Sequence, residues 1–547
     1  MRLTSGHSRR HFLASSTGLI GTTVALAMTG SSSLLASLAA RADDAPRRGG
    51  TLVVAADTEP ENLNPAIVAS NGVFYMASKV IEPLAEMSEG GKLRRLLAES
   101  WTAAPDGTSI TFKLRRNVAW HDGKPFTSAD VAFSAIAVWK RLQNLGRTIF
   151  SNLETVETPD DHTAVFHFSK PTPPQLIENA LPAVTSVLPK HLYDGTDIAK
   201  NPHNTDLVGT GPFRFVEHKP GEFYRLARND QYWDQGHPYL DEVVYRVLPD
   251  VGAIAAALES GDVQLAAFSA IPLNDLARLQ AVPHVKVISK GYDGITYQIT
   301  LEINHRRKEL QDVRVRQALR LAIDSQFIVD KIFLGYAETA SGPVPATAKD
   351  FYAADLPTPK FDPEQAERLL DEAGYKRGSD GTRFKLDLLP APWFNETTAT
   401  GAYVKQALQA TGIAVNLVSN DPAAHLKAVY TDHRFDLAIG SPVYRNDPAI
   451  STTVLFQSGL PDGVPFTNQY GFANAEIDAV IAEGLTAIDT VKRIAIYRRL
   501  QHLVSEQLPL LNLVDFTFLT VARDNVRNVG NNPRWATSSW YDTWLST

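Results

Sequence analysis

The chain has 547 residues, of which 44% are hydrophobic and 21% are charged, and its formal net charge is −7. This composition is typical of a soluble globular protein, and the length suits roughly two to four domain-sized lobes. Acidic character without a basic tract argues against binding to nucleic acid or to an anionic membrane surface. Because the chain has no cysteine, disulfides, thiolate metal sites and cysteine nucleophiles are excluded.

Residues 1–42 have the layout of an export signal. Arg9 and Arg10 precede a weakly apolar run diluted with Gly, Thr and Ser, and a small-x-small site follows at residues 40–42. The paired arginines predict export by the twin-arginine route, with cleavage before Asp43. The apolar run is too short and too polar to favour the alternative, a membrane anchor. A bacterial lipid anchor would require a cysteine at the cleavage site. We therefore expect a soluble periplasmic protein that carries no lipid anchor.

The first half of the remaining chain is predicted to be rich in β-strands. An apolar strand at residues 51–56 comes first. Turn residues next to apolar residues at period two then predict strands and hairpins; these lie at residues 106–114, 159–168 and 209–229. Residues 250–268 are predicted to form a helix that stops at Gly261 and is followed by a short strand.

The second half has a more helical character. Helical patterns, in one case followed by an apolar strand, occur at residues 312–324, 362–374, 402–418 and 491–506. The second of these has Asp362 as N-cap, Pro363 in the first turn and Gly374 just past its end. Residues 510–521 are predicted to form another apolar strand. Alternating helices and strands predict an α/β protein of two lobes, with a hinge where the chain crosses between them.

The stretch RRNVAWHDGKPFTSADV (115–131) places His121 directly beside Asp122. Adjacent residues in extended or turn segments point apart, whereas catalytic dyads come from separated positions that the fold brings together. A turn and the capping pattern of Thr127 with Asp130 follow, so we interpret the stretch as a structural corner. The sequence also lacks G-x-S-x-G, H-E-x-x-H and phosphate-loop signatures. A secreted α/β hydrolase that uses His121, Asp122 and a serine is the alternative of another class.

Two loops after predicted strands, PAPWFNET and SPVYRNDPA, carry the candidate ligand-binding residues. Loops at strand ends of a two-lobed α/β scaffold are where ligands are usually held, although packing between the lobes would explain each aromatic equally well. No catalytic residue, metal ligand or cofactor is predicted, since His425 and His433 lack a flanking ligand cluster. The predicted ligand-binding set is Asn71, Trp393, Phe394, Asn395, Tyr444, Arg445, Asn446 and Asp447.

The corner at His121 also lies in the segment that carries a family resemblance. LAESWTAAPDGTSITFKLRRNVAWHDGKPFTSADVAFS (97–134) closely resembles the signature region of the family 5 extracellular solute-binding proteins. These are the dipeptide-, oligopeptide-, nickel- and opine-binding proteins of bacterial ABC importers. The resemblance covers essentially the whole chain after the signal and continues in the segments 209–233, 258–266 and 312–324.

The resemblance implies a two-lobed periplasmic binding protein with an extra subdomain in the first lobe. The first lobe would span residues 43–288, with the extra subdomain at about 71–205, and the second lobe residues 289–507. A C-terminal return at 508–547 would complete the first lobe. The solute would lie between lobes that close about a hinge, and the closed form would dock on a membrane permease. Such a protein is expected to be a monomer, without enzymatic activity.

The resemblance does not identify the solute. In peptide-binding relatives, an Asp four residues before the Pro of the loop pairs with the peptide amine, and the matching residue here is Tyr444. Dipeptide binders also hold the substrate carboxylate with an Arg in the other loop, but there is no Lys or Arg between Lys385 and Lys405. Both departures argue against a strict dipeptide binder, since a buried charged terminus needs a partner. Arg445 and Asp447 are the nearby substitutes.

The main prediction is therefore a binding protein for peptides or peptide-like solutes. Non-peptide solutes are the alternative within the same family. Stacking on Trp393, Phe394 and Tyr444 would suit an opine, an oligosaccharide or an aromatic moiety. A nickel chelate is a further alternative in this family, and a loop histidine such as His433 could reach it.

Overall fold

The computed structural model describes residues 45–68, 70–358 and 360–547. The predicted export signal and its cleavage site before Asp43 lie outside these residues. The chain from Arg48 to Leu545 packs as one unit. None of the helices in the described ranges is long and apolar enough to span a lipid bilayer.

Strands occur throughout the described chain and belong to several sheets. In chain order they are β1 (Thr51–Ala56), β2 (Ala85–Met87), β3 (Leu93–Arg95), β4 (Ala98–Ala103), β5 (Ser109–Leu114), β6 (Leu153–Asp160), β7 (Thr163–Phe168), β8 (Phe213–Lys219), β9 (Phe223–Arg228), β10 (Glu242–Val247), β11 (Leu265–Ala266), β12 (Val285–Ile288), β13 (Thr296–Ile303), β14 (Ala337–Thr339), β15 (Phe384–Pro390), β16 (Ile413–Leu417), β17 (Leu437–Gly440), β18 (Val443–Tyr444), β19 (Leu510–Phe516), β20 (Thr520–Arg523), β21 (Val526–Arg527) and β22 (Trp544–Leu545).

The longest helices lie in the second half of the chain. In chain order the α-helices are α1 (Asn71–Ala77), α2 (Ser128–Phe133), α3 (Asn144–Ile149), α4 (Pro174–Val184), α5 (Lys190–Tyr193), α6 (Val251–Ser260), α7 (Leu273–Gln280), α8 (Val313–Ala322), α9 (Ser325–Phe327), α10 (Pro363–Glu372), α11 (Asn395–Ala410), α12 (Pro422–Leu426), α13 (Pro448–Ser451), α14 (Ala475–Thr486) and α15 (Thr490–Gln507). Turns of π-helix continue α2, α9 and α12 at Ser134–Trp139, Ile328–Ile332 and Lys427–Thr431.

The first lobe is built on a sheet with the strand order β12-β20-β11-β1-β10-β9-β8. The central strand β1 runs parallel to β10 and β11 and is largely buried, which explains its continuous apolar sequence. The hairpin predicted at residues 209–229 is confirmed as β8 and β9, with Gly221 at φ 74° in the turn. Strand β20, near the C-terminus, pairs antiparallel with β11 and β12.

A second, antiparallel sheet lies within the segment predicted to form the extra subdomain. Its strand order is β4-β5-β7-β6, and the alternating apolar residues of β5 and β7 face its core. The rings of Phe112 and Phe166 lie 5.1 Å apart, and Trp139 packs against Phe166 at 6.4 Å. Helix α4 follows this sheet and carries side chains that reach the second lobe.

The second lobe is built on a sheet with the order β14-β19-β13-β17-β15-β16, with β18 pairing beside β13. Strand β15 is parallel to β16 and β17, and α11 connects β15 to β16. The helix predicted after Asp362 is confirmed as α10. The Asp362 side chain accepts a hydrogen bond from Gln365 N, and Gly374 follows the helix at φ 92°.

The chain crosses between the two sheets at two places in the described residues. The first crossing occupies residues 289–295, between β12 and β13, and the return lies at 517–519, between β19 and β20. The single strand predicted at 510–521 is therefore wrong: β19 pairs with β13 in the second sheet, while β20 belongs to the first. A continuous apolar run does not show which sheet will accept each part of it. We propose that the C-terminal return begins after Phe516 and not at residue 508.

The interpretation of His121 as a structural corner is confirmed. His121 Nε2 donates to Gly211 O at 3.0 Å, and its Nδ1 accepts from Gly209 N at 3.3 Å. Burial lowers the pKa of His121 to about 4, which fits a neutral ring that accepts at one nitrogen and donates at the other. Thr127 and Asp130 form the predicted capping box at the start of α2.

Replacing Glu302 by glutamine is expected to flatten the pH dependence of stability. Glu302 in β13 is 3% exposed, and burial raises its pKa to about 8. The folded state therefore retains a proton that the unfolded state releases, so stability falls as pH rises from the unfolded pKa to the folded one. Between about pH 5 and pH 8 this amounts to about 4 kcal/mol. We expect the free energy of unfolding of Glu302→Gln, measured by urea unfolding, to fall by about 4 kcal/mol less over this pH range than that of the wild type.

The matched control for this measurement is Glu364→Gln, whose side chain is 88% exposed in α10. Its pH profile should follow that of the wild type. If the profiles of Glu302→Gln and the wild type have the same slope, the carboxyl group of Glu302 is ionised at its ordinary pKa.

Candidate functional site

Two cavities lie where elements of the first lobe face elements of the second. The first cavity, of about 290 Å³, is lined by residues 268–273 of the first lobe, 392–396 of the second and 516–519 of the return crossing. The second cavity, of about 580 Å³, is lined by the β2–β3 connection, the first crossing, residues 347–351, Tyr444, Asn446 and residues 530–533. Each cavity thus combines residues from both lobes with a chain crossing.

Trp393 and Asn395 line the first cavity, as does Phe394 between them. The Trp393 side chain follows β15 and is half-buried. Its Nε1 donates to Ser441 Oγ at 2.6 Å, and its ring lies edge-on to His425 and Phe466 at 5.2 and 5.7 Å. The ring is therefore held as a fixed wall of the cavity.

Phe394 belongs to an aromatic cluster between the sheets. Its ring lies 5.7 Å from Tyr297 and 5.7 Å from Phe516, and Phe518 lies 5.1 Å from Tyr297. Asn71, at the start of α1, donates from Nδ2 to Tyr297 Oη at 3.4 Å. Asn71 therefore meets this cluster across the lobes and does not line either cavity.

Tyr444 and Asn446 line the second cavity. Tyr444 is 4% exposed, and its hydroxyl oxygen is buried without a hydrogen-bond partner among the described residues. Burial and the nearby Asp447 raise its pKa well above the ordinary value, so the hydroxyl is a neutral donor at physiological pH. The next residues turn sharply, with Asn446 in the left-handed region at φ 59°.

Asp447 does not line either cavity, contrary to the ligand-binding role predicted for it. Its carboxylate is fully buried and forms a bidentate pair with Arg493, with both distances 2.7 Å. It also accepts from Ala449 N, which caps α13, and from Asn179 of α4 at 2.9 Å. Four donors occupy the carboxylate, so Asp447 positions the loop that carries Tyr444 and Asn446.

The geometry gives the hydrolase alternative no support. Both ring nitrogens of His121 are bound to backbone groups, and Asp122 Oδ2 contacts His191 Nε2 at 2.6 Å. Asp122 therefore does not orient His121. Within the described ranges, no group of three or more His, Asp or Glu side chains is placed to hold a metal ion. His433, the histidine considered for a nickel chelate, lies 3.3 Å from Asp462 and lines neither cavity.

Several residues at the lobe interface were not predicted from the sequence. Tyr297, Phe516 and Phe518 belong to strands or to the crossing after a strand, where aromatic residues are ordinary core residues. Arg534 lies in an irregular segment near the C-terminus. Had the sequence predicted a crossing between the sheets near residue 517, Phe516 and Phe518 would have been candidates for the lobe interface. No sequence pattern indicates that Arg534 lies at this interface.

A family profile described as "Bacterial extracellular solute-binding proteins, family 5 Middle" matches residues 92–462, more than half of the chain. The chain belongs to the family 5 extracellular solute-binding proteins. Membership confirms the resemblance identified from the motifs between residues 97 and 324. Solute binding, the main function predicted from the sequence, is likewise confirmed at the level of family 5.

Individual family 5 proteins are similar to this chain over most of their length. The oligopeptide-binding protein AppA of Bacillus subtilis is 29% identical over 68% of this chain and 69% of its own. The dipeptide-binding protein of Escherichia coli is 27% identical over 93% of this chain and 97% of its own. The crystal structure of the ABC transporter substrate-binding protein CtaP of Listeria monocytogenes superposes with a TM-score of 0.80 at 25% identity, covering 92% of this chain and all of that one. The two-lobed α/β fold is confirmed.

Proposed function

We propose that this protein is the substrate-binding subunit of an ABC importer and captures peptides or peptide-like solutes between its lobes. The observation that carries this proposal is the charge distribution of the second cavity. Its exposed rim holds cations and anions together, namely Lys290, Lys349, Glu89, Asp293 and Asp350. A zwitterionic solute finds partners of both signs there, whereas a neutral oligosaccharide has no charge to complement them.

The first cavity supports the same solute class. Its walls are largely aromatic, with Trp393, Phe394, Phe268 and Phe518 around a small volume suited to an apolar side chain. The related proteins named for oligopeptides and dipeptides add support. We further propose export by the twin-arginine route to the periplasm, action as a monomer without catalysis, and delivery of the solute to an inner-membrane permease.

Isothermal titration calorimetry tests the solute class. The full set of probes would be di-, tri- and tetrapeptide pools, opines, oligosaccharides and a nickel–histidine complex. We expect saturable binding of peptides at micromolar concentration or below and closure of the lobes in small-angle scattering. Saturable binding of an oligosaccharide or nickel complex with no peptide binding would contradict the proposal.

Trp393 should report solute binding by its fluorescence. A solute in the first cavity changes the surroundings of the Trp393 ring, so Trp393→Phe is expected to abolish most of the ligand-induced change in intrinsic fluorescence and to weaken binding about tenfold. Trp101 is the matched control, because it lies in β4 of the extra subdomain and hydrogen-bonds to Glu178 at 2.8 Å. An unchanged ligand-induced signal in Trp393→Phe, or its loss in Trp101→Phe, would place the solute elsewhere.

A further inference from the structure

The corner at Phe268 and Ser269 adjoins both crossings between the lobes. These two residues follow β11 of the first lobe and line the first cavity. Both have backbones in the left-handed region, at φ 58° and φ 54°. Consecutive left-handed residues that carry side chains are strained, and they persist only where the surrounding contacts fix them. The contacts that fix this corner come from the two crossings.

The return crossing holds the corner by a reciprocal pair of hydrogen bonds. Ser269 N donates to Leu519 O at 2.9 Å, and Leu519 N donates to Ser269 Oγ at 2.9 Å. Leu519 is the last residue of this crossing, directly before β20 joins the first sheet. The backbone of the return crossing is therefore attached to a wall of the first cavity.

The first crossing holds the same corner through the hydroxyl group of Tyr292. Phe268 N donates to Tyr292 Oη at 2.9 Å, and Tyr292 Oη shares a second hydrogen bond with Thr520 Oγ1 at 2.7 Å. Thr520 is the first residue of β20. The Tyr292 and Thr520 side chains are buried, with 1% and 0% of their surface exposed, so water does not compete for these bonds. One hydroxyl group thus joins the cavity wall, the first crossing and the strand that follows the return crossing.

Three aromatic rings pack at the same place, one from the cavity wall and one from each crossing. The ring centres of Phe268 lie 5.4 Å from those of both Tyr292 and Phe518, and the last two lie 5.8 Å apart. All three pairs meet edge to face, which is a favourable geometry. Phe268 and Phe518 also line the first cavity. Tyr292 and Thr520 lie behind this wall, since neither is among the described residues that line the two cavities.

We propose that Tyr292 is a positioning residue for solute binding, whose hydroxyl group fixes the Phe268–Ser269 wall of the first cavity to both crossings. This inference rests on the proposed capture of a solute between the lobes, but not on the solute being a peptide. The opposite wall, residues 392–396, belongs to the second lobe. A wall that is fixed to the crossings keeps its place when the lobes rotate about them. Less of the binding free energy is then lost in ordering that wall around the solute.

Amide hydrogen exchange without solute tests this attachment. The ligand-free full chain after its signal is compared for the wild type, Tyr292→Phe and Thr520→Val. The first variant removes the hydroxyl group and keeps the ring, whereas the second removes only the Thr520 partner of that hydroxyl group. In both variants we expect the amides of Ser269 and Leu519 to exchange at least about fivefold faster than in the wild type. Neither substitution removes an atom that bonds these two amides, so faster exchange would show that the corner itself is held less firmly.

Tyr245→Phe is the matched control. Tyr245 is also fully buried in the first lobe, and its hydroxyl group donates to Tyr75 O at 2.7 Å, a bond that involves neither crossing. Exchange at Ser269 and Leu519 should therefore match the wild type in this variant. Unchanged exchange in both Tyr292→Phe and Thr520→Val, or equal acceleration in Tyr245→Phe, overturns the proposal. If Tyr292→Phe does not fold, Thr520→Val decides the question alone.

Solute affinity tests the consequence for binding. Each peptide that binds the wild type is titrated by calorimetry into the same four proteins. We expect affinity to be about fivefold lower in Tyr292→Phe and Thr520→Val, although neither side chain lines the cavity, and unchanged in Tyr245→Phe. If both variants bind as tightly as the wild type, Tyr292 is not a positioning residue for binding, while the proposed function stands. If no peptide binds but exchange at Ser269 and Leu519 is accelerated as expected, the attachment stands and the peptide assignment alone fails.

Discussion

Replacing Arg493 by methionine is expected to lower the free energy of unfolding by about 3–5 kcal/mol. Both side chains of the Arg493–Asp447 pair are fully buried. Methionine keeps much of the apolar stem of arginine but leaves the Asp447 carboxylate charged and unpaired in the interior, where solvation cannot compensate it. Urea unfolding at neutral pH measures the loss.

Arg499→Met is the matched control in the same helix. Arg499 and Glu483 are 54% and 37% exposed and lie 2.8 Å apart, so losing this pair should cost less than about 1 kcal/mol. The double variant Asp447→Asn with Arg493→Met removes the unpaired charge and should recover part of the stability. If Arg493→Met costs no more than Arg499→Met, the buried pair does not contribute to stability as we argue.

The loop with Tyr444 should also shift in Arg493→Met, because Asp447 fixes that loop and contacts Asn179 of α4 at 2.9 Å. Solute affinity is therefore expected to fall together with stability. In Arg499→Met the affinity should stay at its wild-type value.

Replacing Gly209 by alanine is expected to destabilise the first lobe by at least about 3 kcal/mol. A Cβ at this position would lie 1.8 Å from Val80 O and 2.5 Å from Val80 C, and both are backbone atoms that cannot rotate away. Displacing the Gly209 backbone would also break its two hydrogen bonds with His121, in which Gly209 N donates to Nδ1 and Gly209 O accepts from His121 N. Thermal and urea unfolding would show the loss.

Gly123→Ala provides the comparison. Gly123 lies in the turn after Asp122 with φ 86°, and no atom lies within 4 Å of its hypothetical Cβ. Its substitution should cost only the backbone strain of the left-handed conformation, about 1 kcal/mol. Equal losses in the two variants would mean that the approach of Gly209 to Val80 does not constrain the lobe.

The stretch Gly209–Pro212 thereby gains a physical explanation for its two glycines. In the sequence this stretch begins one of the segments that carry the family resemblance, and its glycines had no assigned structural role. In the folded chain they pass over the backbone of residues 79–80 and hold the corner at His121. Such a requirement arises from a neighbour about 130 residues away in the chain, which no local pattern shows.

Local chemistry made several features predictable. The Thr127–Asp130 capping box, the Asp362 N-cap and the hairpin turn at Gly221 each depend on a few consecutive residues, and each is present where it was expected. Trp393 and Tyr444 were predicted to bind ligand because their loops follow strands, and they do line cavities. Their contact with a solute stays a prediction.

The sequence by itself thus determined the family, the α/β character and the local elements, because helix caps, turns and apolar periodicity act over a few residues. Only the tertiary structure decided which polar groups lie buried together. It paired Asp447 with Arg493, 46 residues away, so that each of these two buried charges has a partner. The charge of each residue is written in the sequence, but whether that charge is compensated depends on which distant side chain the fold places next to it.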